Sequence, residues 1–158
     1  MGYFWIILAI AAMAIVGIAV TSLKRLQATR TAGNRERAIN EFAAERDDLT
    51  GLFLRIAAAS GKPRGLRWSG CELSGPPLFA IDDATGELIA LIAATISFAA
   101  IEGGGMEEVE AVSNLRSATA VFMHRGDGWI TDGRVIFNLE PAEALAKFQG
   151  TLRPLVSA

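Results

Sequence analysis

The chain has 158 residues, 51% of them hydrophobic, with 15 basic and 17 acidic side chains. The net charge is only −2, but Trp68 to Ala158 holds five basic against twelve acidic side chains, and this acidic part argues against nucleic acid, whose binding demands a basic surface and usually interleaved aromatics. One His, one Tyr and one Cys leave little equipment for acid–base, nucleophilic or zinc chemistry, so neither a cofactor nor a metal is expected.

Residues 3–23, Tyr3 to Leu23, contain no charge, and only Gly17, Thr21 and Ser22 fall outside the apolar set. At 1.5 Å per residue such a helix spans about 30 Å, the thickness of a bilayer's hydrocarbon core. A transmembrane helix is expected. A cleavable signal peptide competes, with Gly17-Ile18-Ala19 as a loose cleavage site, but no Lys or Arg precedes the run. Myristoylation fails because Ile6 stands where Ser or Thr is needed.

Lys24, Arg25, Arg30, Arg35 and Arg37 crowd the C-terminal side of this run. The positive-inside rule then places the C-terminal domain in the cytoplasm and the short N-terminal tail outside, the reverse topology being the alternative. Lys24, Arg25 and Arg30 are candidate contacts to anionic lipid headgroups. Lys24 to Arg67 carries a net +5, whereas Trp68 to Ala158 carries −7, so a basic stalk bears an acidic head. The expected organisation is an anchor over residues 1–23, a basic juxtamembrane linker over 24–33 and an α+β domain over 34–158.

Asn34 to Ser60 reads as a long amphipathic helix, with Asn34 as N-cap, Gly61 as the stop and Pro63 just beyond. Ile39, Phe42, Leu49, Phe53 and Ile56 recur at helical spacing, interrupted by Arg46 where the next apolar residue is due. The stripe fits a coiled-coil seam between copies, but Arg46 and Gly51 favour a helix laid across a sheet.

Beyond Gly65 the period changes. Gly65 to Leu73, Leu78 to Asp82, Glu87 to Glu102, Arg116 to His124 and Trp129 to Leu139 are rich in β-branched and aromatic residues and bounded by turn sequences. The third segment is apolar on both sides, with Leu88, Ile92 and Ile96 opposite Ile89 and Leu91. That marks a central strand covered on both faces over its first half. Asp132-Gly133 in the last segment is expected as a bulge or second tight turn. Pro141 then opens a short helix, Ala142 to Phe148.

The resulting class is α+β, a long helix on a curved antiparallel sheet of about five strands, closed by a short helix. This element order, with Trp129 just after a hairpin turn, resembles the cystatin/NTF2-type roll over Asn34 to about Gln149. A pleckstrin-homology-like barrel is the alternative. Gly65-Leu66-Arg67-Trp68, Thr85-Gly86-Glu87-Leu88 and Thr131-Asp132-Gly133-Arg134 also resemble stretches of uncharacterised bacterial membrane-anchored proteins, a likeness that implies no activity.

His124 ends a strand beside a turn and is expected at the surface; Cys71 lies in an alternating strand and is expected as a small buried hydrophobe. The two would form a nucleophile and base only if the fold joined them. Glu102, Glu107, Glu108 and Glu110 flank three glycines and could gather a hard cation, although a flexible acidic loop is the simpler reading. Two functions remain. One is a membrane-tethered, non-enzymatic interaction or assembly module, a subunit of a membrane complex, with a protein partner or further copies of itself. The other is a ligand-binding or hydrolytic roll, with a pocket in the concave sheet lined by Trp68, Cys71, Phe98, His124 and Trp129.

Overall fold

The computed structural model describes residues 32–60 and 65–155. The expected span, Tyr3 to Leu23, and the basic residues Lys24, Arg25 and Arg30 lie outside them. Among the described residues no helix is long and apolar enough to cross a membrane. The chain divides into two units, Met1–Ile39 and Asn40–Ala158.

Residues 32–44 are helical (α1), and after a bend at Glu45 the helix continues as α2, Arg46–Ser60. Backbone hydrogen bonds run through the bend, from Glu45 N to Glu41 O and from Leu49 N to Glu45 O, both 2.9 Å. Asn34 is not the N-cap, because residues 32 and 33 are already helical. A capping preference of about 1 kcal/mol does not stop a helix whose preceding residues can extend it. Of the apolar stripe Phe42, Leu49 and Phe53 are buried, Ile39 and Ile56 only partly so, and Ala57 is buried as well. Arg46 does not break it, since its guanidinium donates to the Leu73 carbonyl at 2.8 Å, on the strand that follows.

The strands are β1 (Leu66–Asp82), β2 (Leu88–Ala100), β3 (Arg116–Arg125), β4 (Gly128–Ile130), β5 (Val135–Phe137) and β6 (Leu152–Pro154). They form one antiparallel sheet in the order β4-β3-β2-β1-β6, with β5 also on β3. No β4–β6 pairing closes the path among the described residues. The two strands expected over Gly65–Leu73 and Leu78–Asp82 are one strand. Both halves pair with β2, and Gly75, Pro76 and Pro77 form a bulge between the Ser74–Ala93 and Leu78–Leu91 pairs. Prolines are tolerated there because a bulge frees the backbone from the hydrogen-bonding ladder. The strand expected over Trp129–Leu139 is two short ones, both on β3. β6 went unread because three residues ending in Pro154 carry no periodic signal; at the sheet's edge the proline costs no ladder hydrogen bond.

The interruption between β4 and β5 supplies the bulge expected at Asp132-Gly133. Four residues, Thr131 to Arg134, oppose Val121 and Phe122 on β3. The Thr131 hydroxyl donates to Val121 O at 2.9 Å and accepts from Gly133 N at 3.0 Å. Gly133 has φ of +77°, and a Cβ there would lie 2.8 Å from Ala57 N and 2.9 Å from Ala57 Cα. The bulge therefore rests directly on the backbone of α2.

Alternation along β2 divides the core. Leu88, Ala90, Ile92, Ala94 and Ile96 face the helices together with Ala118, Ala120 and Phe122 of β3. The small alanines leave room for Phe42 and Phe53, which are almost fully enclosed. Phe42 packs edge-on against Trp129, Phe122 and Phe79, with ring centroids 4.8, 5.4 and 5.9 Å away. Truncating either phenylalanine to Ala would cost about 3–5 kcal/mol. On the opposite face Ile89, Leu91 and Val121 form a second cluster, joined by Leu78, Met123, Ile136, Leu145 and Leu152. Leu145 belongs to α3 (Pro141–Lys147), whose start is fixed by the Glu143 carboxylate accepting from Glu140 N at 2.9 Å. The central strand is thus covered on both faces over its first half, as the sequence implies.

Candidate functional site

The five residues expected to line a pocket all belong to the helix-facing side of the sheet. Trp68 and Phe98 pair across β1 and β2 with ring centroids 5.1 Å apart, and Phe53 reaches Trp68 at 6.3 Å. Trp129 lies beside His124 at 5.3 Å and is itself buried. Between these two groups Phe53, Phe122 and Phe42 make a continuous run of ring contacts. Aromatic side chains rather than open space join Trp68 and Phe98 to His124 and Trp129, and Cys71 takes no part in these ring contacts.

His124 is more sheltered than a turn-flanking residue, at 20% side-chain exposure, with Nε2 3.9 Å from Glu41 Oε2. Cys71 is half-buried, and burial pushes its thiol up to about 11. A thiol so protonated is a poor nucleophile at neutral pH. Cys71 pairs with Ile96 and His124 with Leu88, eight residues apart on β2. At about 3.3 Å per residue that is roughly 26 Å, so the two do not form a nucleophile and base.

The acidic loop is built rather than slack. Glu107 accepts from the Gly103 amide, and backbone hydrogen bonds hold its carboxyl below the usual range. Gly104 lies against Gly65, where an added Cβ would sit 2.7 Å from Gly65 Cα. Among the described residues no three His, Cys, Asp or Glu side chains are placed to hold a metal ion.

A hollow of about 260 Å³ opens on the other face of the sheet, and none of the five expected residues lines it. Its floor is apolar: Ile89 and Leu91 of β2, Val121 and Met123 of β3, and Ile136 of β5. One wall is Phe148, Thr151 and Leu152, where the chain turns from α3 into β6; Arg134 stands on the other side. Asp82, Thr85, Glu87 and Arg125 complete the rim. The alternation of β2 and β3 builds the floor, in which Ile89, Leu91 and Val121 are buried while Met123, Ile136 and Leu152 stay partly open.

The rim charges differ in how fully they are engaged. Arg125 grips Glu87 through two bonds, Nε to Oε1 at 2.7 Å and Nη2 to Oε2 at 3.0 Å. That grip holds the Glu87 carboxyl below its ordinary range and raises the Arg125 guanidinium. Asp82 Oδ1 accepts from Thr85 N at 3.0 Å and Ala84 N at 2.8 Å, and these amides lower its carboxyl. Arg134 makes one long bond, Nη2 to Asp132 Oδ2 at 3.3 Å, and its side chain is 65% exposed. Sequence reasoning missed this site, although alternating Ile89, Leu91, Val121 and Met123 carried its floor in plain view.

Comparison with models of known families, with curated proteins and with solved structures found no match.

Proposed function

We propose that this protein is a membrane-tethered, non-enzymatic interaction or assembly module. A single span over residues 3–23 holds a cytoplasmic α+β domain at the bilayer through the basic segment 24–33, and the domain meets a protein partner or further copies of itself. The uncharged 21-residue run, followed at once by Lys24 and Arg25, carries this reading. The state of the titratable groups supports a non-catalytic head. Cys71 is held protonated, and Asp82, Glu87 and Glu107 spend their carboxylates on turns and on Arg125. The helices laid across an open sheet favour a cystatin/NTF2-type arrangement over a closed barrel.

The test combines fractionation with crosslinking. The full chain should stay with membranes through alkaline carbonate and high salt, and deletion of residues 3–23 should release it. A reporter fused after Ala158 should work only if it is a cytoplasmic reporter. Crosslinking after mild detergent extraction should trap a defined partner or oligomer. Carbonate release of the full chain would refute the span, and a strictly monomeric, partner-free protein would refute the assembly role.

A second reading, a ligand-binding domain, is favoured by the hollow. Its volume lies just under the roughly 300–1,000 Å³ of pockets for drug-sized ligands, and its few polar groups surround an apolar floor. The site then lies on the α3 side of the sheet, opposite α2 and the five expected residues.

A further inference from the structure

We infer that the hollow binds a small amphiphilic monocarboxylate, its short acyl chain against the partly buried Met123, Ile136 and Leu152 above the buried Ile89, Leu91 and Val121, and its carboxylate on Arg134. This inference rests on the ligand-binding reading above. The floor removes an apolar chain from water, and the modest volume admits one short chain rather than a drug-sized body.

The head-group chemistry follows from the rim. The Glu87–Arg125 pair is closed on itself by two short bonds, and the Asp82 carboxylate is occupied by two backbone amides. Arg134 alone among these charged rim residues is held by a single 3.3 Å contact and keeps most of its five donors for a guest. A guanidinium fork matches a carboxylate through two parallel hydrogen bonds. With Glu87 neutralised by Arg125, the rim leaves one loosely held cation, Arg134, beside the Asp82 carboxylate, so a monoanion matches it better than a dianionic phosphate. Asp132 competes with the guest, since its Oδ2 takes the donor that a bound carboxylate would use.

The test uses the full chain in phosphatidylcholine nanodiscs, titrated with octanoate and followed by methyl NMR. Saturable shifts are expected at Met123, Ile89 and Ile136, with Ile56 of α2 unmoved. Arg134→Gln should weaken octanoate about tenfold, as loss of a charge-assisted bidentate contact implies, while Arg134→Lys loses less. Asp132→Asn keeps a side-chain oxygen for the Arg134 amide but removes the competing charge, so it should tighten octanoate severalfold. Octanol should bind about tenfold more weakly than octanoate and be indifferent to Arg134→Gln. Equal binding of octanol and octanoate would overturn the carboxylate assignment while leaving a ligand-binding domain. Binding of neither would overturn both. Identical shifts in phosphatidylglycerol discs without octanoate would assign the site to a lipid phosphate and overturn the monocarboxylate.

Discussion

Replacing Gly133 by Ala isolates the contact that locks the β4–β5 bulge to α2. Two effects add. Gly133 has φ of +77°, a left-handed conformation that costs an L-residue about 1–2 kcal/mol. The new methyl would also lie 2.8 Å from Ala57 N, 2.9 Å from Ala57 Cα and 3.1 Å from Ile56 C. All three are helix backbone atoms, so no rotamer change relieves the overlap, and a backbone shift of this kind costs about 1–3 kcal/mol. The expected destabilisation is about 2–5 kcal/mol, a large share of the ~5–15 kcal/mol that holds a domain folded. In thermal unfolding of the full chain followed by circular dichroism, Tm should fall by about 10 °C or more. Gly126→Ala is the control. Gly126 has φ of +65° in the β3–β4 hairpin, but a Cβ there meets nothing within 4 Å. It should lose only the conformational component, about 1–2 kcal/mol. If Gly133→Ala were no more destabilising than Gly126→Ala, the bulge would not bear on the helix.

Three further outcomes are expected. Arg46→Met keeps the aliphatic stem but deletes the bond to Leu73 O, so urea unfolding should show a loss of roughly 1–2 kcal/mol, and no loss would make that bond idle. Cys71, its thiol raised from about 9 to about 11, should alkylate about 100-fold more slowly than an unperturbed thiol of pKa near 9 at neutral pH, and denaturation should abolish the difference; rapid labelling of the native protein would contradict its burial. Glu87 has a depressed carboxyl, so its contribution is fully present above the unfolded carboxyl range near pH 4 and is lost as pH falls through its lower native value. The stability gap between the native chain and Glu87→Gln should therefore shrink as pH is lowered from about 5 to about 3, and a constant gap would sever Glu87 from Arg125.

Wherever the signal was local and periodic, the sequence was sufficient. The helical stripe of Phe42, Leu49 and Phe53, the two-sided apolarity of β2, and Pro141 at the start of α3 follow from side-chain spacing and backbone chemistry, which act within one element. Asp132-Gly133 was legible as a break in the last strand because a glycine there signals a bulge. What that bulge meets was not, since Ala57 lies far away in the chain and only packing brings it near. Gly75-Pro76-Pro77 reads locally as a turn; only the long partner strand shows that the chain continues along it past a bulge. The candidate site followed the same division. Trp68, Cys71, Phe98, His124 and Trp129 stand out by residue type, and the fold packs all but Cys71 into an aromatic run on the α2 side of the sheet. The hollow draws Asp82, Glu87, Arg125, Arg134 and Leu152 from separate elements, and none stands out alone. Periodicity tells which residues leave water; which rim side chains gather beside them depends on how turns, β5 and β6 come together, and that is decided between elements.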